Sequence, residues 1–162
     1  EAVDELKGER RAEPGEVKIE ILVDAYIPGT YIPEEALRIE AYRRMAAVDS
    51  QEKKKEMERE LTDRYGPLPD QVNNLLEVCE LKILARKAGI KKISQEDDKV
   101  MLWPVRLTSR LERSLSRLYR NLSLKPRREM LGVRIPLDVN PLGFLQKLIG
   151  DIMAFGHSQH TK

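Results

Sequence analysis

Histidine, cysteine and the large aromatics are scarce in this 162-residue chain, which holds two His, one Cys, one Trp and two Phe. The single thiol, Cys79, excludes a disulfide within the chain and suits a reducing compartment such as the cytoplasm. No apolar run approaches the roughly 20 residues needed to span a bilayer, and the start shows no secretory-signal pattern. The expectation is a cytoplasmic protein with no membrane partner. Both histidines, His157 and His160, fall in the C-terminal tail, so a Ser/His or Cys/His triad has no base in the folded part. Their i,i+3 spacing offers two nitrogens, but zinc normally takes three or four protein ligands, so no metal is expected. The nine glycines form neither G-x-x-x-x-G-K-[ST] nor G-x-G-x-x-G, the loops whose backbone amides cradle phosphates. These absences predict no catalytic residue and no cofactor here. A hydrolytic enzyme is the weakest of the functional readings. Cys79 lies on an apolar helical face, where a buried thiol acts as a small hydrophobe.

Hydrophobic residues make up 41 % of the chain and charged ones 35 %. That is enough for one core, built from Leu, Ile and Val rather than aromatics. Glu1–Gly8 (EAVDELKG) reads as the last turns of a helix, so the chain reads as an excised piece of a longer protein. Residues 9–16, with Pro14-Gly15, read as a linker, 17–155 as the folded domain, and 156–162 as a flexible tail. Charge is uneven. Residues 1–100 hold 18 Lys and Arg against 23 Asp and Glu, a balance of −5. Residues 101–162 hold 11 against 4, a balance of +7. Oriented partner contacts or merely solvated faces both produce such asymmetry.

Val17, Ile19, Ile21 and Val23 alternate with Lys18, Glu20 and Leu22, which predicts a strand with one buried face. Pro33 with Glu34 and Glu35 opens a helix over 34–48, since Pro tolerates the first turn and acids favour its positive end. Asp49-Ser50 caps a second helix over 51–65, stopped by Gly66-Pro67. A third, from Pro69-Asp70 to Ala88, is apolar around its girth and should be central. Two strands at 91–94 and 99–103, with a turn over Gln95–Asp98, precede a fourth helix from Thr108-Ser109 to Leu122. Strands over 124–128 and 130–135 and a last helix from Asn140-Pro141 complete the chain. The predicted class is α+β, a single domain of four to five helices packed on a small, mostly antiparallel sheet.

Two charged features stand out. Arg106, Arg110, Arg113, Arg117 and Arg120 are spaced four, three, four and three, so four or five of them lie along one side of the predicted fourth helix. Leu107, Leu111, Leu115, Leu118 and Leu122 form the neighbouring, core-facing stripe. The arginines suit nucleic-acid phosphates or an acidic protein surface, and Tyr119 is the main aromatic candidate beside them. The second feature is Glu56, Glu60 and Asp63, at i, i+4 and i+7 on one face of the second helix. That face could receive a partner's arginines, or simply keep the helix soluble with local pairs to Arg59 and Arg64.

DAYIPGTYIPEEALRIEAYRRMA (24–46), LTDRYGPLPDQVNNLL (61–76) and AGIKKI (88–93) resemble the C-terminal domain of bacterial transcription-repair coupling factor, the Mfd family. EAVDELKG resembles the segment leaving that family's motor, and residues 94–162 agree in length and position. The resemblance implies a parent that is a large cytoplasmic ATP-driven translocase on duplex DNA, with ATP and Mg held upstream of this fragment. That parent displaces stalled RNA polymerase and recruits nucleotide-excision repair through UvrA. The resemblance also implies that this domain has no activity of its own. It would pack against the UvrB-like module near the N-terminus of the same chain, mask the surface UvrA needs, and restrain the motor. The acidic pair assigned to that masking contact falls here on Glu60 and Asp63. The alternative reading is an accessory DNA-binding domain gripping phosphates with the arginine ladder.

Overall fold

The structure, a computed structural model, describes residues 16–160, with side chains described as far as Gly156. The helix end expected at Glu1–Gly8 and the linker as far as residue 15 lie outside the described residues, as do the side chains of His157 and His160. The elements run β1 (Lys18–Glu20), α1 (Glu35–Ala46), α2 (Gln51–Tyr65), α3 (Asp70–Ala88), β2 (Lys92–Glu96), β3 (Lys99–Trp103), α4 (Ser109–Leu118), β4 (Leu122–Lys125), β5 (Met130–Arg134) and α5 (Pro141–His160). The strands form one sheet in the order β1-β2-β3-β5-β4. Only β1 and β2 pair in parallel, so the sheet is mostly antiparallel, as expected.

Helix α3 is the shared wall of two cores. Its Leu81 and Ala85 face the larger one, with Ile93, Val100, Leu102, Leu131 and Val133 from the sheet, Leu111 and Leu115 from α4, and Leu145, Leu148 and Ile149 from α5. Val72, Leu76 and Cys79, half a turn away, face the smaller one with Ile27, Ile32, Ala41, Met45, Met57 and Leu61. Each fully buried Leu or Ile contributes about 1.5–3 kcal/mol. The whole girth of α3 is therefore in use.

Several boundaries differ from the sequence reading. The inward alternation Val17, Ile19, Ile21, Val23 holds, but the β1 ladder is only three residues long. Beyond it the Leu22 N–H turns to the Gln95 side chain (2.8 Å) and Leu22 is 64 % exposed. Strand β2 runs on to Glu96, so the turn shrinks to Asp97-Asp98, with Asp97 at φ 58. Helix α4 stops at Leu118, four residues early. There Tyr119 turns inward, its hydroxyl donating to the Asp151 carboxylate and its ring edge-on to Phe144. Asn121 then takes φ 59, and Leu122 begins β4 rather than ending a helix. Leu118 is 54 % exposed and lies outside the core stripe assigned to it. The strand expected through 128 is cut by Pro126, which starts a 3-10 turn over Pro126–Arg128. The backbone of α5 continues to His160, past the Gly156 where a flexible tail was expected to begin.

Candidate partner-binding surfaces

Helix α2 begins where Ser50 Oγ accepts the Lys53 amide (3.2 Å) and ends at Gly66, φ 97 and ψ −170. Met57 and Leu61 anchor it in the smaller core. The loop over residues 27–33, bounded by Ile27-Pro28 and Ile32-Pro33, braces its far end. Tyr31 donates its hydroxyl to the carbonyls of Gly66 (2.8 Å) and Leu61 (3.1 Å), and its ring lies 5.7 Å from that of Tyr65. The orientation of α2 is thereby fixed from below and from one end.

On this support the three acidic residues share one side of α2 but differ in their surroundings. Glu56 and Asp63 are exposed and have no ion pair with another described residue. Glu60 is half-buried against α1, where both terminal nitrogens of Arg44 grip its two oxygens, and Arg64 stands at 3.5 Å. The hydrogen bonds from Arg44 hold the Glu60 carboxyl below the usual glutamate range and raise the Arg44 guanidinium in return. The local partner expected at Arg64 is present but secondary. The principal one comes from another helix, and no i,i+4 pattern reveals it.

The sequence reading also missed Lys54, which is 9 % exposed. Its ammonium lies 2.8 Å from Glu80, 3.3 Å from Glu77 and 3.9 Å from Glu58. Gln51 donates to Glu80 (2.9 Å), and Gln146 of α5 donates to Glu77 (2.9 Å). Burial works against the Lys54 charge, yet the hydrogen bond and field of its carboxylates outweigh it and raise its pKa. Glu80 is likewise opposed by burial and carried below its ordinary value by Lys54 and Gln51. This network ties α2, α3 and α5 together behind the acidic face.

The arginine ladder is divided by the early end of α4. Arg110, Arg113 and Arg117 lie along the helix, Arg106 precedes it and Arg120 follows it. None of the five has an ion pair with another described residue. The Val105 amide bonds the Glu129 carbonyl (2.7 Å), which brings the exposed Arg127 and Arg128 to the Arg106 end. Tyr119, the expected aromatic beside the ladder, is turned away into its bond with Asp151. Cys79 is buried, with burial raising its pKa and the thiol pointing to the Met45 carbonyl (3.6 Å), as a structural thiol does. Among the described residues, no group of three His, Cys, Asp or Glu is placed to hold a metal ion, and no helix is long and apolar enough to cross a membrane.

The class these features define is a mixed α+β domain that presents charged helix faces on a braced framework. The family model for the TRCF domain matches residues 21–108, more than half of the chain. The chain belongs to the TRCF domain family, the C-terminal domain of the transcription-repair coupling factors. It is 39 % identical over 103 residues to the transcription-repair-coupling factor of Bacillus subtilis, covering 63 % of this chain and 9 % of that protein. It is 32 % identical over 150 residues to that of Staphylococcus haemolyticus, covering 91 % of this chain and 11 % of the relative. The chain thus spans about a tenth of the length of these relatives. The crystal structure of the C-terminal domain of transcription-repair coupling factor matches with a TM-score of 0.70 at 24 % identity, covering 89 % of this chain and 96 % of that one. The fold likeness therefore extends well beyond residues 1–93, where the sequence motifs are concentrated.

Proposed function

We propose that this domain is the regulatory clamp of a DNA translocase that couples transcription to nucleotide-excision repair. The acidic face of α2 docks on the UvrB-like module of the same protein, covers the surface UvrA needs and restrains the ATP-driven motor. The observation that carries this reading is the pair of exposed carboxylates, Glu56 and Asp63, flanking a Glu60 already held in place by Arg44. A fixed acidic face costs little ordering entropy when it meets arginines. Tethering within one chain supplies the effective concentration, so the contact is weak as a separate pair and still closes the clamp. UvrA, RNA polymerase and duplex DNA are partners of the parent, in the cytoplasm.

The test is to titrate this chain with the separately expressed UvrB-like module. Binding should fall at least tenfold for Glu56→Lys combined with Asp63→Lys, and the same pair in the full-length protein should raise UvrA binding. Unchanged affinity in both assays would remove the acidic face from the clamp.

A second reading rests on the exposed Arg113 and Arg117 and the half-buried Arg110, which have no described ion partner. In that reading α4 grips duplex DNA beside the motor. It predicts salt-dependent duplex binding that is lost when all three become Ala.

A further inference from the structure

All the inward residues of the sheet meet helices, and among the described residues no element covers its other face. Pairing register sets out what that face presents. Lys18 is opposite Lys92, and Lys92 is opposite Trp103. One step beyond the Leu102–Leu131 pair, Trp103 comes level with Met130, and Met130 is opposite Lys125. A single row across five strands therefore reads Lys18, Lys92, Trp103, Met130, Lys125, with no acid in it. At about 4.8 Å per strand it is about 19 Å long. The three lysines are exposed, and Trp103 is 41 % exposed although it is the only tryptophan in the chain.

The neighbouring row starts at Glu20, opposite Ser94 and 3.8 Å from the Lys18 ammonium, and is flat beyond it. Ser94 pairs with Met101, Met101 with Gly132, and Gly132 with Ser123. A Cβ on Gly132 would stand 2.9 Å from the Met101 sulfur, so the missing side chain is what lets Met101 lie across the strand. The result is a shallow platform with an indole at its centre and ammonium groups toward both ends. The exposed Arg127 and Arg128 continue it past Lys125.

We propose that this open sheet face binds single-stranded nucleic acid, with a base stacked on Trp103 and the backbone phosphates running across Lys18, Lys92 and Lys125. Any base offers a π-face to an indole, so this grip tolerates many sequences. Duplex is disfavoured because its bases are already stacked on one another and offer the indole no free face. The flat face also distinguishes this site from α4, whose convex row of arginines has no exposed aromatic beside it. The inference depends neither on the clamp nor on the ladder.

Trp103 is its own probe. The chain would be titrated with a dT ten-mer, the matching duplex and a polyglutamate peptide, following tryptophan emission at low and moderate salt. Saturable quenching by dT, with a log–log salt slope of roughly −2 for three phosphates, is the expected result. Trp103→Ala should weaken dT binding, read by anisotropy of a labelled strand, about tenfold or more, and Trp103→Phe should recover most of it. Lys92→Gln with Lys125→Gln should weaken binding and flatten the salt slope. These side chains are exposed, so folding is checked by circular dichroism alone. Absence of quenching by dT at low salt would overturn the proposal. So would dT binding that is indifferent to Trp103 and lost with Arg110, Arg113 and Arg117. Quenching by polyglutamate alone would assign the face to an acidic protein instead.

Discussion

Lys54 and Arg44 are both cations facing carboxylates, and burial separates their roles. Lys54 is enclosed, so its removal leaves Glu80 and Glu77 close together without a counter-charge. Lys54→Ala should cost about 2 kcal/mol in urea unfolding, short of the roughly 3–5 kcal/mol for a fully buried pair because both carboxylates retain some water. The pH dependence follows from the directions of the shifts. Glu80 is depressed, so its contribution is present above the ordinary glutamate value and lost as pH falls through its folded value. Lys54 is raised, so its share is present below the ordinary lysine value and lost as pH rises through its folded value. The gap in stability between the parent chain and Lys54→Ala should be constant through neutrality and narrow below the glutamate range. Arg44 is half exposed, and its pair with Glu60 contributes little to stability. In the proposed clamp its weight is in positioning Glu60. Arg44→Ala should therefore weaken the complex with the UvrB-like module, and a tightened complex would show that a partner's arginine competes with Arg44 for Glu60 instead.

Helix starts were legible because their signals are local. Ser50, Pro69, Thr108 and Asn140 each stand next to the first residue of a helix and Pro33 stands two before one, and Ser50, Thr108 and Asn140 accept amides of the first turn there. The end of α4 was not legible, because the apolar period runs on through Leu118 and Leu122. What stops it is Asp151, more than thirty residues away, which draws Tyr119 inward. Burial and that bond hold the Tyr119 hydroxyl well above the ordinary tyrosine range. Tyr119→Phe should therefore cost about 1.5–3 kcal/mol, the range for a hydrogen bond to a charged acceptor, and raise amide exchange at the end of α4. The acidic face was readable from spacing alone. Its internal partner Arg44 was not, since α1 and α2 meet only through tertiary packing. Trp103 sits in KVMLW, a strand with too little polar alternation to show which face is open.

At the scale of the whole molecule, the two cores differ in size, and the proposed clamp surface stands on the smaller. The larger contains about twice as many buried apolar residues. Native-state hydrogen exchange should show α1 and α2 opening at lower free energy than α3, α5 and the sheet. Leu76→Ala, in the smaller core, should cost about 2–5 kcal/mol and widen that difference. Leu81→Ala, on the other side of α3, should lower both together. A single uniform exchange free energy across the chain would mean that α3 and the Lys54 network weld the cores into one cooperative unit.

Strand β1 has a mechanical consequence. It lies at the sheet's edge, and its one ladder is the three-residue parallel pairing with β2. Tension drawn through the residues before Val17 falls on those few bonds first. Under load β1 should detach while the antiparallel strands stay joined, so the domain has a weak link at its N-terminal edge that yields before its body does.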